Sequence, residues 1–156
     1  LFEKHLNTHL QNYLESNQIL YRCQFGFRKG FSRSDAMIKI YSDCVNWKSQ
    51  GNYMSIISLD FRKAFDCVNH NIVAEYLQRY GKSGSFLNLL TSFLDNRMQC
   101  AHFNQQTSSF RPIKMGVPEG SIIAPTLFAI FINDVLNLHL FSAVNAYAGL
   151  VMMILK

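Results

Sequence analysis

Phe2, Leu6, Leu10 and Tyr13 with Leu14 recur at the spacing of one helix face, which predicts a helix ending near Asn17. The stretch YRCQFGFRKGFSRSDA, rich in glycine and basic residues, predicts a loop. Ser34 and Asp35 are suited to cap a second helix whose face is Met37, Tyr41, Cys44 with Val45, and Lys48, stopped at Gly51. The β-branched run MSIISLD, residues 54–60, predicts a strand. Ile72, Val73, Tyr76, Leu77 and Tyr80 predict a helix ended by Gly81, and Phe86, Leu87, Leu90, Phe93 and Leu94 another running to about Asn96. Met98–Phe103 and Ser109–Lys114 are expected to pair as a hairpin through the polar Asn104–Thr107 segment. After GVPEGS, Ser121 caps an apolar helix through Ile132, with Pro125 in its first turns, where proline is tolerated. Ala143–Leu155 predicts two strands around a turn at Tyr147–Leu150. The class is α+β, a small and mainly antiparallel sheet backed by helices.

A length of 156 residues fits one structural unit with a real core, and 49% hydrophobic against 16% charged residues excludes a disordered chain. The longest apolar stretch, Ile122–Ile132, contains Pro125 and falls short of the roughly 18 residues a membrane span needs, so no membrane partner is expected. The opening LFEKHLNTHL has no apolar core of a signal peptide, which points to an intracellular protein. The chain also lacks an initiator Met and closes on the apolar VMMILK, so both ends look cut. Cys23, Cys44, Cys67 and Cys100 are widely spaced, as expected of reduced, mostly packed thiols rather than of a zinc site or a disulfide framework. A net charge of +5 permits a polyanionic partner without requiring one.

Three stretches carry candidate chemistry. Asp60 closes the predicted strand, where an acid is well aimed for a metal; it could equally cap the turn before Phe61. In KMGVPEGSIIAP, Gly116 and Gly120 around Pro118 form a loop with few side chains before a helix N-terminus, suited to an anion or simply to a strand-to-helix turn. In QFGFRKG, Arg28 and Lys29 lie among aromatics between Gly26 and Gly30, a pattern for phosphate and base contact or a solvated basic loop.

Taken in order and at these separations, QFGFRKG with SDA, ISLDFRKAFDCVNH, and GVPEGSIIAPTLF with FIND resemble the reverse transcriptase domain of non-LTR (LINE-like) retrotransposons. The resemblance runs from about Phe2 to about Met153. It implies the fingers (about residues 1–55) and part of the palm (about 56–156) of a right-hand polymerase, ending at the metal-site hairpin with the thumb absent. It also implies Mg2+ as cofactor, and an RNA template, a DNA primer and deoxynucleotide triphosphates as partners. Carried over by position, Asp60 resembles the first metal-binding aspartate, and Phe65 the bulky residue that crowds the sugar 2′ position. Phe61, Gly116, Pro118, Glu119 and Gly120 correspond to the nucleotide site, while Gln24, Gly26, Arg28 and Lys29 correspond to the fingers segment near template and triphosphate. Asp66 and His70 belong to the same motif as Asp60, with the role of holding its turn.

The resemblance breaks where the family has Tyr or Phe, Ala and two adjacent aspartates. Here AYAGLVMMI matches at Tyr147 and Ala148 but carries Gly149 and Leu150 where the acids belong. Two dications about 4 Å apart repel by roughly 17 kcal/mol at an effective dielectric of 20, so several carboxylates must converge on them. Asp60 alone is one. Glu119 replaces the family's usual Gln with an acceptor facing an anionic triphosphate, and Arg33 and Ala124 depart from the usual Thr and Gly. The expectation is a polymerase fragment that is catalytically inactive; the alternatives are a nucleic-acid-binding remnant using Arg28, Lys29, Arg62, Lys63, Arg97 and Lys114, or a decayed element product.

Overall fold

The computed structural model describes residues 1–53, 56 and 60–134. Five α-helices and four short strands occur among them. The strand predicted over 54–60 and the hairpin predicted over 143–155 lie outside the described residues, apart from Ile56 and Asp60. The chain divides into two compact units, Leu1–Arg62 with Ile132–Lys156, and Lys63–Phe131.

In the first unit, helix α1 (Phe2–Ser16) buries Leu6, Leu10 and Leu14, a stripe repeating every fourth residue. Each fully buried leucine contributes on the order of 1.5–3 kcal/mol. The helix stops where the Asn17 side-chain amide donates to the Tyr13 carbonyl at 2.8 Å, satisfying an acceptor that the helix leaves open.

Helix α2 (Arg33–Ser49) begins one turn earlier than the sequence suggested. Ser32, not Ser34 or Asp35, is the N-cap: its Oγ accepts from Asp35 N, while the Asp35 carboxylate accepts from Ser32 N at 2.7 Å. This reciprocal capping box makes Asp35 the third helical residue, and the bonds to Ser32 hold its carboxyl below its ordinary range. The inward stripe is also rotated by one position. Ala36 is buried and Ile40, Cys44 and Trp47 are half-buried, so of the expected face only Cys44 turns inward, while Met37, Tyr41, Val45 and Lys48 are exposed. Apolar residues occur around most of this helix, so its periodicity did not single out a face.

In the second unit, helices α3 (His70–Arg79) and α4 (Ser85–Leu94) pack together through Val73 and Leu77 on one and Leu87, Leu90 and Leu94 on the other. Asn69 caps α3, its side-chain oxygen accepting from Asn71 N at 2.9 Å. Helix α5 (Ala124–Ile132) buries Leu127, Phe128, Ala129, Ile130 and Ile132, so it is apolar nearly all round, as its sequence requires. Ser121 Oγ accepts from Ala124 N at 3.1 Å ahead of its first turn, and Pro125 is its second residue.

The strands make one interrupted antiparallel hairpin. Strand β1 (Met98–Gln99) pairs with β4 (Arg111–Pro112), and β2 (His102–Phe103) with β3 (Gln106–Thr107). The predicted Asn104–Thr107 connection is shorter than expected: Asn104 and Gln105 alone make the turn, both at positive φ, and Gln106 already pairs with Phe103. The register shifts by one residue between the two ladders, where Ser108 N donates to the Ala101 carbonyl at 2.9 Å, so the second strand carries a bulge. All residues from Met98 to Pro112 are exposed, so among the described residues no helix backs these strands.

The four cysteines are free, but only Cys23 is buried; Cys44 is half-buried and Cys67 and Cys100 are exposed, so most are not packed as expected. Cys44 lies on helix α2, Cys67 in a 3-10 turn and Cys100 between strands β1 and β2. No helix among the described residues is long and apolar enough to cross a membrane.

Candidate functional site

The second unit joins the KMGVPEGSIIAP loop to the segment Lys63–His70 that follows Asp60 in the sequence. Lys63, at φ 54°, turns the chain so that its carbonyl accepts from Asp66 N at 3.1 Å and Cys67 N at 3.2 Å, opening a short 3-10 turn at Phe65–Cys67. The GVPEG loop is then knitted onto this segment by main-chain bonds. Gly116 N donates to the Val68 carbonyl at 2.8 Å, and Val117 N donates to the Phe65 carbonyl at 2.9 Å. His70 Nε2 lies 2.8 Å from the Gly116 carbonyl, to which it donates when protonated at that nitrogen.

This close approach explains the glycine. A β-carbon on Gly116 would stand 3.0 Å from Asp66 Cα, 3.1 Å from the Asp66 carbonyl oxygen and 3.2 Å from that of Phe65. Its φ of 91° also lies where side chains are strained. Phe65 is held from below, its ring 5.4 Å from that of the buried Phe128 on α5. Pro118, half-buried, accepts from Ser121 N at 3.2 Å across a turn whose third residue, Gly120, has φ 81°. Glu119 is exposed at its apex. Phe65, Gly116, Pro118, Glu119 and Gly120 thus form one hydrogen-bonded main-chain cradle, with a half-buried aromatic ring beside it.

Gln24, Gly26, Arg28, Lys29, Asp60 and Phe61 belong to the first unit. There, Arg28 is the centre of the basic loop. Its Nε donates to Glu15 Oε1 at 2.9 Å and its Nη2 to Oε2 at 2.6 Å, a two-pronged pair. Its Nη1 donates to the Tyr21 and Gln24 carbonyls at 3.1 and 3.2 Å, and its guanidinium lies 4.3 Å from the Phe31 ring centre. The Arg28 side chain is only 9% exposed. Gln24 is buried and Gly26 half-buried, while Lys29 projects as an exposed cation. The same loop is tied by Asn133, also in the first unit, whose Oδ1 accepts from Tyr21 N at 2.8 Å and whose Nδ2 donates to the Ile19 carbonyl at 2.9 Å.

Asp60 and Phe61 are exposed. Gly149 and Leu150 lie outside the described residues, and no group of three or more His, Cys, Asp or Glu residues among the described ones is placed to hold a metal. Sequence reading missed Glu15 and Asn133. The signal for Asn133 was a polar residue closing an apolar helix; Glu15 offered none, since its partner is thirteen residues away across a loop.

Residues 2–148 match the reverse transcriptase (RNA-dependent DNA polymerase) family. This chain belongs to that family, and its relatives place it beside the enzymes of non-LTR retrotransposons. It is 26% identical over 134 residues to a probable RNA-directed DNA polymerase from transposon X-element of Drosophila melanogaster, covering 86% of this chain and 15% of that protein. The RNA-directed DNA polymerase from mobile element jockey of the same species is 30% identical over 111 residues, 71% of this chain and 12% of that protein. A retrovirus-related Pol polyprotein from type-1 retrotransposable element R2 of Popillia japonica is 27% identical over 114 residues, 70% of this chain and 16% of its own length. The chain therefore spans about one seventh of the length of these relatives.

Proposed function

We propose that this chain carries the fingers (about residues 1–55) and part of the palm (about 56–156) of a retrotransposon RNA-directed DNA polymerase, in a copy that binds nucleic acid and nucleotide without extending a primer. The observation that supports the nucleotide site is the docking of Gly116 on the Phe65–Asp66 main chain. A nucleotide-facing loop needs fixed geometry and little side-chain bulk, and this one has both.

Within the second unit, Phe65 limits room beside the sugar 2′ position, favouring deoxynucleotides, while the Gly116–Gly120 loop bounds the base and sugar. Lys29, the exposed cation of the Gln24–Lys29 segment, contacts template phosphate, while the covered Arg28 and buried Gln24 hold the loop in shape beside Gly26. The family adds deoxynucleotides to a primer 3′-OH with the help of two Mg2+ ions. Here Asp60 offers a carboxylate, but Gly149 and Leu150 offer none, so the donor set does not fit a metal pair. No catalytic step is assigned to this chain. Its RNA template and primer would be met inside the cell.

Titrating the full 156-residue chain with a labelled RNA–DNA primer–template at several salt concentrations tests the binding part. Affinity that falls steeply with salt supports it, because each neutralised phosphate releases counterions. Absence of binding at low salt contradicts it.

A further inference from the structure

The hairpin β1–β4 has a composition and an exposure unlike the rest of the chain. Between Asp95 and Glu119 there is no acidic residue, whereas Arg97, Arg111 and Lys114 are cations and His102 lies among them. Among the described residues, neither Arg111 nor Lys114 has a carboxylate partner. Two phenylalanines stand out on the same element, Phe103 at 77% and Phe110 at 65% exposure, together with Met98 at 53%.

A two-stranded ribbon exposed on both faces is marginal by itself in water. Large rings left in solvent on such an element are costly unless they meet a partner. The partner's chemistry follows from the residues present. A protein partner would be met by an apolar patch with a mixed polar rim. Here every charge is positive, and the polar remainder is uncharged Gln, Asn, Ser and Thr. Cations spaced along a strand beside exposed rings match a single-stranded nucleic acid, whose phosphates pair with the cations and whose bases stack on the rings. A duplex would offer its phosphates but keep its bases stacked on each other.

We propose that the Met98–Pro112 hairpin, with Lys114 beside it, is a single-strand nucleic-acid-binding ribbon in which Phe103 and Phe110 stack on bases and Arg111 and Lys114 pair with phosphates. This rests on the nucleic-acid reading above and adds the surface and the mode of contact. The bulge near Ala101 and Ser108 has a role in it, since the added twist turns the tip pair His102–Thr107 relative to the base pair Met98–Pro112. A twisted ribbon can follow a strand that winds.

The test uses the full chain, a short fluorescein-labelled RNA of mixed sequence, and the same sequence as a duplex, with binding read by anisotropy. Replacing Phe103→Ala with Phe110→Ala is expected to weaken single-strand binding by roughly tenfold per ring and to leave duplex binding within about twofold. Phe103→Leu with Phe110→Leu, which keeps apolar bulk and removes the π face, is expected to behave like the alanine pair. Arg111→Gln with Lys114→Gln should weaken both and lower the salt slope by about one per charge removed. All four side chains changed in these variants are exposed, and an unchanged thermal melt confirms folding. If the wild-type chain binds RNA and every variant binds as well as it does, the ribbon assignment falls while the nucleic-acid reading stands. If the wild-type chain binds neither probe at low salt, both fall together.

Discussion

Gly116 lies against Asp66 so closely that a methyl group on it would stand 3.0 Å from the Asp66 α-carbon. That is tighter than nine in ten real β-carbon contacts, so the neighbouring main chain would have to give by a few tenths of an ångström. Since Gly116 is bonded through its N–H to Val68 and through its carbonyl to His70, the movement would open the cradle that the nucleotide reading depends on. Gly116→Ala is expected to lower stability by about 1–3 kcal/mol from positive-φ strain and the clash together, and to abolish nucleotide binding. Gly120→Ala has comparable φ strain but meets nothing within 4 Å. It should cost about 1 kcal/mol, so the two melts read side by side separate close approach from backbone strain.

The Arg28–Glu15 pair predicts a second outcome. Arg28→Lys keeps the charge but loses the two-pronged geometry and the bonds to Tyr21 and Gln24. A loss of about 2–3 kcal/mol in denaturant unfolding is expected, because the guanidinium is almost wholly covered. Lys29→Gln, at an exposed position, should leave the melt unchanged and reduce nucleic-acid affinity alone. A melt unchanged by Arg28→Lys would remove Arg28 from its structural role.

Acid should loosen the start of α2. The hydrogen bonds from Ser32 hold the Asp35 carboxyl below its ordinary value of 3.8. A carboxyl depressed in the folded state adds stability at pH above the ordinary value, and that contribution disappears as pH falls through the lower folded value. Helicity of the wild-type chain should therefore decline below about pH 4 in part through this box. Ser32→Ala should cost about 1 kcal/mol at neutral pH and flatten that part of the acid response, as read by circular dichroism.

Much of this architecture was legible in the pattern of apolar residues. The stripe Leu6, Leu10 and Leu14, the Gly81 stop after α3 and the all-apolar α5 each have a strong local cause, so periodicity and end signals found them. The rotated face of α2 was not legible, because Met37, Tyr41, Cys44 and Val45 form as good a stripe as Ala36, Ile40, Cys44 and Trp47. What chooses between them is tertiary. In the candidate site, the need for glycine at 116 could be suspected from the loop, but its reason is the Asp66 main chain, fifty residues away. Glu15 as the partner of Arg28 was likewise invisible, since nothing local marks a surface glutamate as half of a covered pair.

Glu119 carries a prediction about nucleotide affinity. It is exposed at the apex of the loop assigned to the triphosphate, where an ionised carboxylate repels the ligand. Glu119→Gln is expected to strengthen deoxynucleotide triphosphate binding by about 1 kcal/mol, roughly fivefold, in a calorimetric titration at low salt. Unchanged affinity would move the nucleotide away from this loop.

The central claim is that a reverse transcriptase framework persists here without its chemistry. Primer extension tests it most directly: the full chain is incubated with an annealed RNA template and DNA primer, deoxynucleotide triphosphates and Mg2+, and the products are resolved by length. The expected result is a primer that stays at its starting length although it is bound, because Gly149 and Leu150 supply no carboxylates to join Asp60. A ladder of longer products that depends on the template and disappears with Asp60→Asn would contradict it.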